Sequence, residues 1–172
     1  MGKKSVNIYP SLNVPYYAQT AEFSCGPACA LMVLEYFDGI RVSRELEFEV
    51  WREVNLIGVP GCDCYGLALA LHRMGLGVRI FVEGRIMSNS LKIIERRFGK
   101  GSAELTRFAL DHFLDKSVKL GLRVDRMLPS NSEVIDALKS NMVPVFMVYM
   151  HSAPHWVVVK GLYRGGYVIN DP

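Results

Sequence analysis

Apolar stretches punctuated by glycine, proline and capping residues divide the chain into helices first and strands last. From Ala28 to Phe37 the only charged residue is Glu35, which predicts a helix enclosed by protein on most sides. Pro27 suits its first turn, where a missing N–H costs nothing. Residues 5–14 read as extended, broken by Pro10 and Pro15. Ser43 is placed to cap a second helix reaching about Asn55, although Leu46-Glu47-Phe48-Glu49-Val50 also alternates as a strand would. Gly58, Pro60 and Gly61 mark a loop, and Tyr65 to Met74 reads as a helix stopped by Gly75. Val78 to Val82 predicts a short strand. Residues 88–98 and 103–120 read as amphipathic helices, the second with Leu105, Phe108, Ala109, His112 and Phe113 on one face. Leu122 to Met127 alternates as a strand, and Ser130 with Glu133 forms a capping box for a helix ending at Ser140. Three strands are expected to close the chain, at Val143–Met150, His155–Tyr163 and Gly166–Ile169, with Gly165-Gly166 as the last hairpin turn. This order is an α+β layout with a C-terminal antiparallel sheet, not a βαβ alternation.

With 172 residues, 50% hydrophobic and 10% aromatic, the chain has material for one well-packed domain over residues 1–172. Its 20 basic and 17 acidic residues leave a formal charge of +3, too weak and scattered to point to nucleic acid or anionic lipid. A peptide or small amide substrate is the better expectation. The longest apolar run, Met142 to Met150, contains Pro144 and is too short to span a bilayer. Asn7, Tyr9, Pro10 and Asn13 interrupt any signal-peptide core behind the basic first residues, and Val6 stands where myristoylation needs Ser or Thr. A cytoplasmic protein is expected. Cysteines at 25, 29, 62 and 64 have spacings poorly suited to local disulfides, so reduced thiols are expected. Pairing between the two groups stays open.

The chemistry concentrates in two blocks. Cys25 starts the predicted buried helix, six residues after Gln19; His155 leads Trp156-Val157-Val158-Val159, and Asp171 follows Val168-Ile169-Asn170. A helix N-terminus offers unpaired N–H groups and a positive dipole end that stabilise a thiolate. An imidazolium beside it completes an activated nucleophile. The expectation is that Cys25 and His155 meet within hydrogen-bond reach, that Asp171 orients the ring, and that the Gln19 amide and the Cys25 N–H serve a developing oxyanion.

Other residues have plainer readings. Cys29 is core packing, and His151 is a loop histidine placed to touch substrate. His112 and His72 read as satisfied core or rim histidines. Trp51 and Trp156 are core anchors, the latter also shielding the imidazole from water. Cys62-Asp63-Cys64 with His72 has neither the spacing nor the fourth ligand of structural zinc. It reads instead as a loop and cap leading into the helix near Gly66.

Taken together, Gln19, Cys25-Gly26-Pro27-Ala28, His155-Trp156-Val157-Val158-Val159-Lys160-Gly161 and Val168-Ile169-Asn170-Asp171-Pro172 resemble the C39-like cysteine peptidases. These are papain-like proteins related to the double-glycine leader peptidases of bacteriocin exporters. The resemblance implies a stand-alone member with a papain-like fold and Cys25 as nucleophile. It further implies His155 and Asp171 as the rest of a triad, Gln19 in the oxyanion hole, and no metal or organic cofactor. The interval from Cys25 to His155 is longer than in those leader peptidases, so residues 84–121 are expected to be an added helical lid or docking surface. The loop around Cys62 is expected at the border of the cleft. The same thioester chemistry would also support acyl transfer, and a peptide-binding module that kept only the fold is a third reading.

Overall fold

The computed structural model describes residues 10–84, 88–150 and 153–172. Residues 5–9 of the expected extended segment, and the loop histidine His151, lie outside them. The helix behind Ser24 runs Cys25–Asp38 (α1), and every residue from Cys25 to Leu34 is buried. Such a helix needs partners on all sides. It finds them in α2 (Arg44–Val54), α3 (Cys64–Arg73) and the long strand β4 (Ala153–Tyr163). Leu31, Met32, Leu34, Val50, Val54, Leu71, Trp156 and Val158 form the centre of this core. The helical reading of residues 46–50 is the one adopted, because Ser43 accepts the Leu46 N–H and Val50 and Val54 turn inward together.

α3 is buried on two sides. Leu67, Ala70 and Leu71 face α1, while Tyr65, Ala68 and Leu69 join a second cluster with Ile80, Leu122 and Phe113. That second cluster belongs to α5 (Ser102–Lys119) and to two short strands, β1 (Arg79–Phe81) and β2 (Arg123–Asp125). β1 and β2 pair in parallel, with α4 (Ser88–Phe98) and α5 as the crossover. This parallel unit was not expected from the strand pattern. Two runs of three residues carry no signal of the direction in which they pair.

The buried face of α5 differs from the expected one. Ser102, Thr106, Ala109 and Ser117 are buried, whereas Leu105 and Phe108 are 46% and 63% exposed and His112 is also exposed. The reason lies in the hydroxyls. Thr106 Oγ1 donates to the Ser102 carbonyl at 2.7 Å, and Ser117 Oγ to the Phe113 carbonyl at 2.8 Å. With their polar groups satisfied inside the helix these small residues can be buried, and Ser102 and Thr106 lie close against Gly58. His72 is also exposed, so both helical histidines lie at the surface and neither is a core residue.

β3 (Val145–Met150), β4 and β5 (Gly166–Asn170) form the antiparallel sheet in the order β3-β4-β5. The final hairpin turns at Arg164-Gly165, both at positive φ (48° and 83°), and Gly166 pairs with Tyr163. The expected Gly165-Gly166 turn is therefore one residue late. α6 (Asn131–Lys139) has its capping box, Ser130 accepting the Glu133 N–H and Glu133 accepting the Ser130 N–H, and it packs Val134 and Leu138 on Val159. Among the described residues no helix is long and apolar enough to cross a membrane.

Candidate functional site

β4 sends Trp156 and Val158 into the core under α1, and His155 immediately precedes them on the same strand. There His155 Nε2 meets Asp171 Oδ1 at 2.6 Å, immediately beyond β5. The expected imidazole–carboxylate pair is present. His155 is the third residue of β4 rather than its first, opposite Val148 of β3. A carboxylate accepting from Nε2–H leaves Nδ1 as the basic nitrogen of the ring.

Cys25 is the first residue of α1, at its N-terminus. The N-cap Ser24 makes no side-chain bond to the helix, because its hydroxyl serves Ala21, accepting from its N–H at 3.1 Å and donating to its carbonyl at 2.9 Å. The first helical bond runs from Ala28 N–H to the Ser24 carbonyl, and Pro27 has no N–H. Among the described residues, the N–H groups of Cys25 and Gly26 have no partner and point from a positive dipole end. No hydrogen bond links Cys25 Sγ to His155 among those residues. What lies against this turn is the neighbouring indole: a Cβ on Gly26 would come within 3.2 Å of Trp156 Cδ1 and would collide with Cys62 Sγ. Asp171 is near enough for its charge to act on Cys29. Burial first, then the neighbouring Cys25 and Asp171, push the Cys29 thiol well above its ordinary range. Cys29 is fully buried, as expected of a core residue.

Gln19 sits just before α1, but its amide is already engaged. Nε2 donates to the Ala21 carbonyl at 2.8 Å, and Oε1 is buried without a partner. One N–H of the Nε2 group remains for another acceptor. The segment leading to it is tied to the sheet. Leu12 N–H donates to the Lys160 carbonyl at 2.6 Å, and Asn170 Nδ2 donates to the carbonyls of Val14 and Pro15 at 3.1 and 2.9 Å.

The loop between α2 and α3 completes the neighbourhood. Trp156 Nε1 donates to the Cys62 carbonyl at 3.3 Å, and Cys62 Sγ packs on Gly26. The four cysteines carry free thiols. Burial, and then the charges of Cys25 and Asp63, push the Cys62 thiol far up, while burial takes Cys64 to about 12. Neither is a thiolate at neutral pH, so neither competes as a nucleophile. Asp63 caps α3 by accepting the Gly66 N–H at 2.8 Å, but its Oδ2 is buried without a partner. The loop-and-cap reading of this segment is therefore the structural one.

Asp63 predicts a pH effect. Burial raises its carboxyl from 3.8 to about 6. Its contribution to stability is then complete below pH 4 and is lost as the pH climbs through about 6. Urea unfolding of wild type and Asp63→Asn from pH 4 to pH 7.5 should show the wild type losing on the order of 2–3 kcal/mol relative to the variant, two pKa units at 1.36 each. A difference that stays flat across that range rules the effect out.

Sequence reasoning missed Glu47, Ser24 and Asn170. Glu47 alone had a signal: it stands at helical spacing with Val50, Trp51 and Val54, an acidic residue on the inward face of α2. A shallow cleft lined by Asn131, Ile135, Leu162, Gly165 and Tyr167 contains none of the candidate residues, and no chemistry attaches to it.

A family model described as Peptidase_C39 like family matches residues 14–172. Comparison with curated proteins and with solved structures gives no significant match.

Proposed function

The chain belongs to the Peptidase_C39 like family, and from that membership we propose that it is a papain-like thiol hydrolase acting on peptide or small amide bonds. The observation that carries the reading is the 2.6 Å pair of His155 Nε2 and Asp171 Oδ1, with His155 on the strand that packs against the helix begun by Cys25. Cys25 Sγ is the nucleophile. His155 Nδ1 takes its proton and later gives it to the leaving amine, and Asp171 holds the ring in that tautomer. The open N–H groups of Cys25 and Gly26 stabilise the oxyanion, with the remaining N–H of Gln19 as a further donor. Catalytic hydrogen bonds are often long before substrate binds, so the sulfur and imidazole would close on each other in the complex. Acyl transfer to an amine would use the same thioester.

A peptide-binding module is the second reading, favoured by one observation: Cys25 Sγ makes no hydrogen bond among the described residues. Residues 84–121 serve either reading as a lid or docking surface. Ile93 on α4, with Leu105 and Phe108 on α5, is the exposed apolar set such a surface would use.

Iodoacetamide titration separates the two. In the hydrolase, one thiol of the four, Cys25, reacts at least ~10-fold faster than the others well below pH 8, and a His155→Ala variant loses that advantage. Uniformly slow thiols establish the binding module instead.

A further inference from the structure

Glu47 is 2% exposed, and among the described residues no lysine or arginine pairs with it. A carboxylate in that position is costly unless donors surround it. Three do. Thr20 Oγ1 donates to Oε2 at 2.6 Å, Tyr17 Oη to the same oxygen at 3.0 Å, and the Thr20 N–H to Oε1 at 3.0 Å. All three donors come from the residues flanking Gln19. Burial and the Glu47 bond push the Tyr17 phenol up to about 12, so it remains a donor throughout the physiological range.

One helical turn along α2, the Trp51 ring packs on Phe23 with centroids 5.2 Å apart. α2 thus grips the segment before α1 at both ends. Between the two grips, the Ala21 carbonyl gathers Gln19 Nε2 at 2.8 Å, Ser24 Oγ at 2.9 Å and Ser24 N–H at 3.1 Å. Hydrogen bonds and chain neighbours together lead from the Glu47 carboxylate to Thr20 and the adjacent Gln19, and from Gln19 through Ala21 to Ser24, which precedes the turn that starts at Cys25. A buried ionic group typically adds little net stability over an apolar replacement. What these bonds supply is position.

We propose that Glu47 is a positioning residue of the thiol site, its carboxylate fixing the Tyr17–Phe23 segment so that the Gln19 amide and the Cys25 N–H face the same acyl oxygen. The catalytic part of this assignment rests on the hydrolase reading above; the part concerning the segment does not.

The test compares wild type with Glu47→Met, Glu47→Gln and Thr20→Val on three readouts. These are hydrolysis of a peptide selected from a library with the wild type, iodoacetamide alkylation of Cys25, and amide hydrogen exchange. In Glu47→Met, kcat falls by about 10²-fold while KM stays within about 3-fold, the pattern of lost transition-state alignment. Alkylation builds no oxyanion, so Cys25 should react within about 2-fold of wild type. Exchange at Thr20 to Phe23 should quicken by about 10-fold or more while Leu31 to Leu34 keep their protection. Thr20→Val removes one of the three bonds from the other side and should move the same readouts less. Glu47→Gln keeps an acceptor for the Thr20 N–H, and both hydroxyls can turn to accept from its amide, so it should stay within about 3-fold of wild type. Unchanged exchange in both Glu47→Met and Thr20→Val overturns the proposal. So does faster exchange with unchanged kcat, and so does a parallel fall in alkylation, which marks a merely structural role. A wild type that cleaves no peptide and shows no fast thiol overturns the hydrolase reading; the exchange data then decide by themselves whether Glu47 fixes the segment.

Discussion

An Asp171→Ala variant is expected to lose about 10²-fold in kcat/KM on a peptide the wild type cleaves, whereas Asp171→Asn should stay within about 10-fold. The contrast follows from what the 2.6 Å bond does. Asp171 accepts from His155 Nε2–H, which fixes the ring plane and leaves Nδ1 free to receive a proton. Alanine abolishes both effects. The asparagine carbonyl oxygen can accept the same hydrogen, so tautomer and orientation survive. The charge itself matters less when the nucleophile is a thiol, because the thiolate supplies its own negative partner to the imidazolium. The pair is also partly wet, with side chains 20% and 43% exposed, which screens the carboxylate further. Steady-state kinetics of the two variants, with the pH profile of Cys25 alkylation alongside, measures this. If alanine and asparagine behave alike, the carboxylate does not orient the ring.

The second large effect lies far along the chain from the thiol. Gly58→Ala is expected to cost about 3 kcal/mol or more, near or above the top of the usual range for overpacking. A Cβ there would run into the Ser102 carbonyl oxygen and sit 2.6 and 2.9 Å from Thr106 Oγ1 and N. Two of these three atoms are backbone at the start of α5, and a helix N-terminus cannot step aside as a side-chain tip can. For a chain of this size the loss corresponds to a melting temperature lower by about 6–12 °C. The loop must then leave α5. Leu56 N–H to the Gly61 carbonyl (2.9 Å) and the bridge between Asn55 and Cys62 make it one unit, so Cys62 would move with it. Its contacts with Gly26 and Trp156 would loosen. Thermal unfolding followed by circular dichroism reads the stability loss. A melting point within 2 °C of wild type would show that the backbone gives way at almost no cost, at roughly 0.5–1 kcal/mol.

How much of this was legible in advance depended on the range of the interaction. Helix starts were readable because a cap and the groups it serves lie within three residues. Ser43 with Leu46, Asp63 with Gly66 and Ser130 with Glu133 are all local pairs. Periodicity alone left residues 46–50 open between helix and strand, and the Ser43 cap goes with the helix that forms. α5 was misread because hydroxyl groups count as polar in a pattern, while Thr106 and Ser117 satisfy theirs inside their own helix. Of the candidate site, residue types and order pointed to Cys25, Gln19, His155 and Asp171. Of the partners that surround them, the Cys62 loop was expected from the family resemblance and Glu47 had a signal in its helical spacing, whereas Ser24 and Asn170 had none.

The sequence by itself determined the elements, their order, the α+β class and the family resemblance, since each is written in short-range patterns of apolar, capping and turn residues. Only the folded chain decided which groups meet. Glu47 finds Thr20 across 27 residues, Trp156 finds the Cys62 carbonyl across 94, and β1 pairs with β2 in parallel around two helices. Contacts of that separation depend on how whole helices pack, and packing answers to the shape and hydrogen-bonding satisfaction of every neighbour at once. No window of the sequence contains that information, which is why the setting of the thiol emerged only with the tertiary structure.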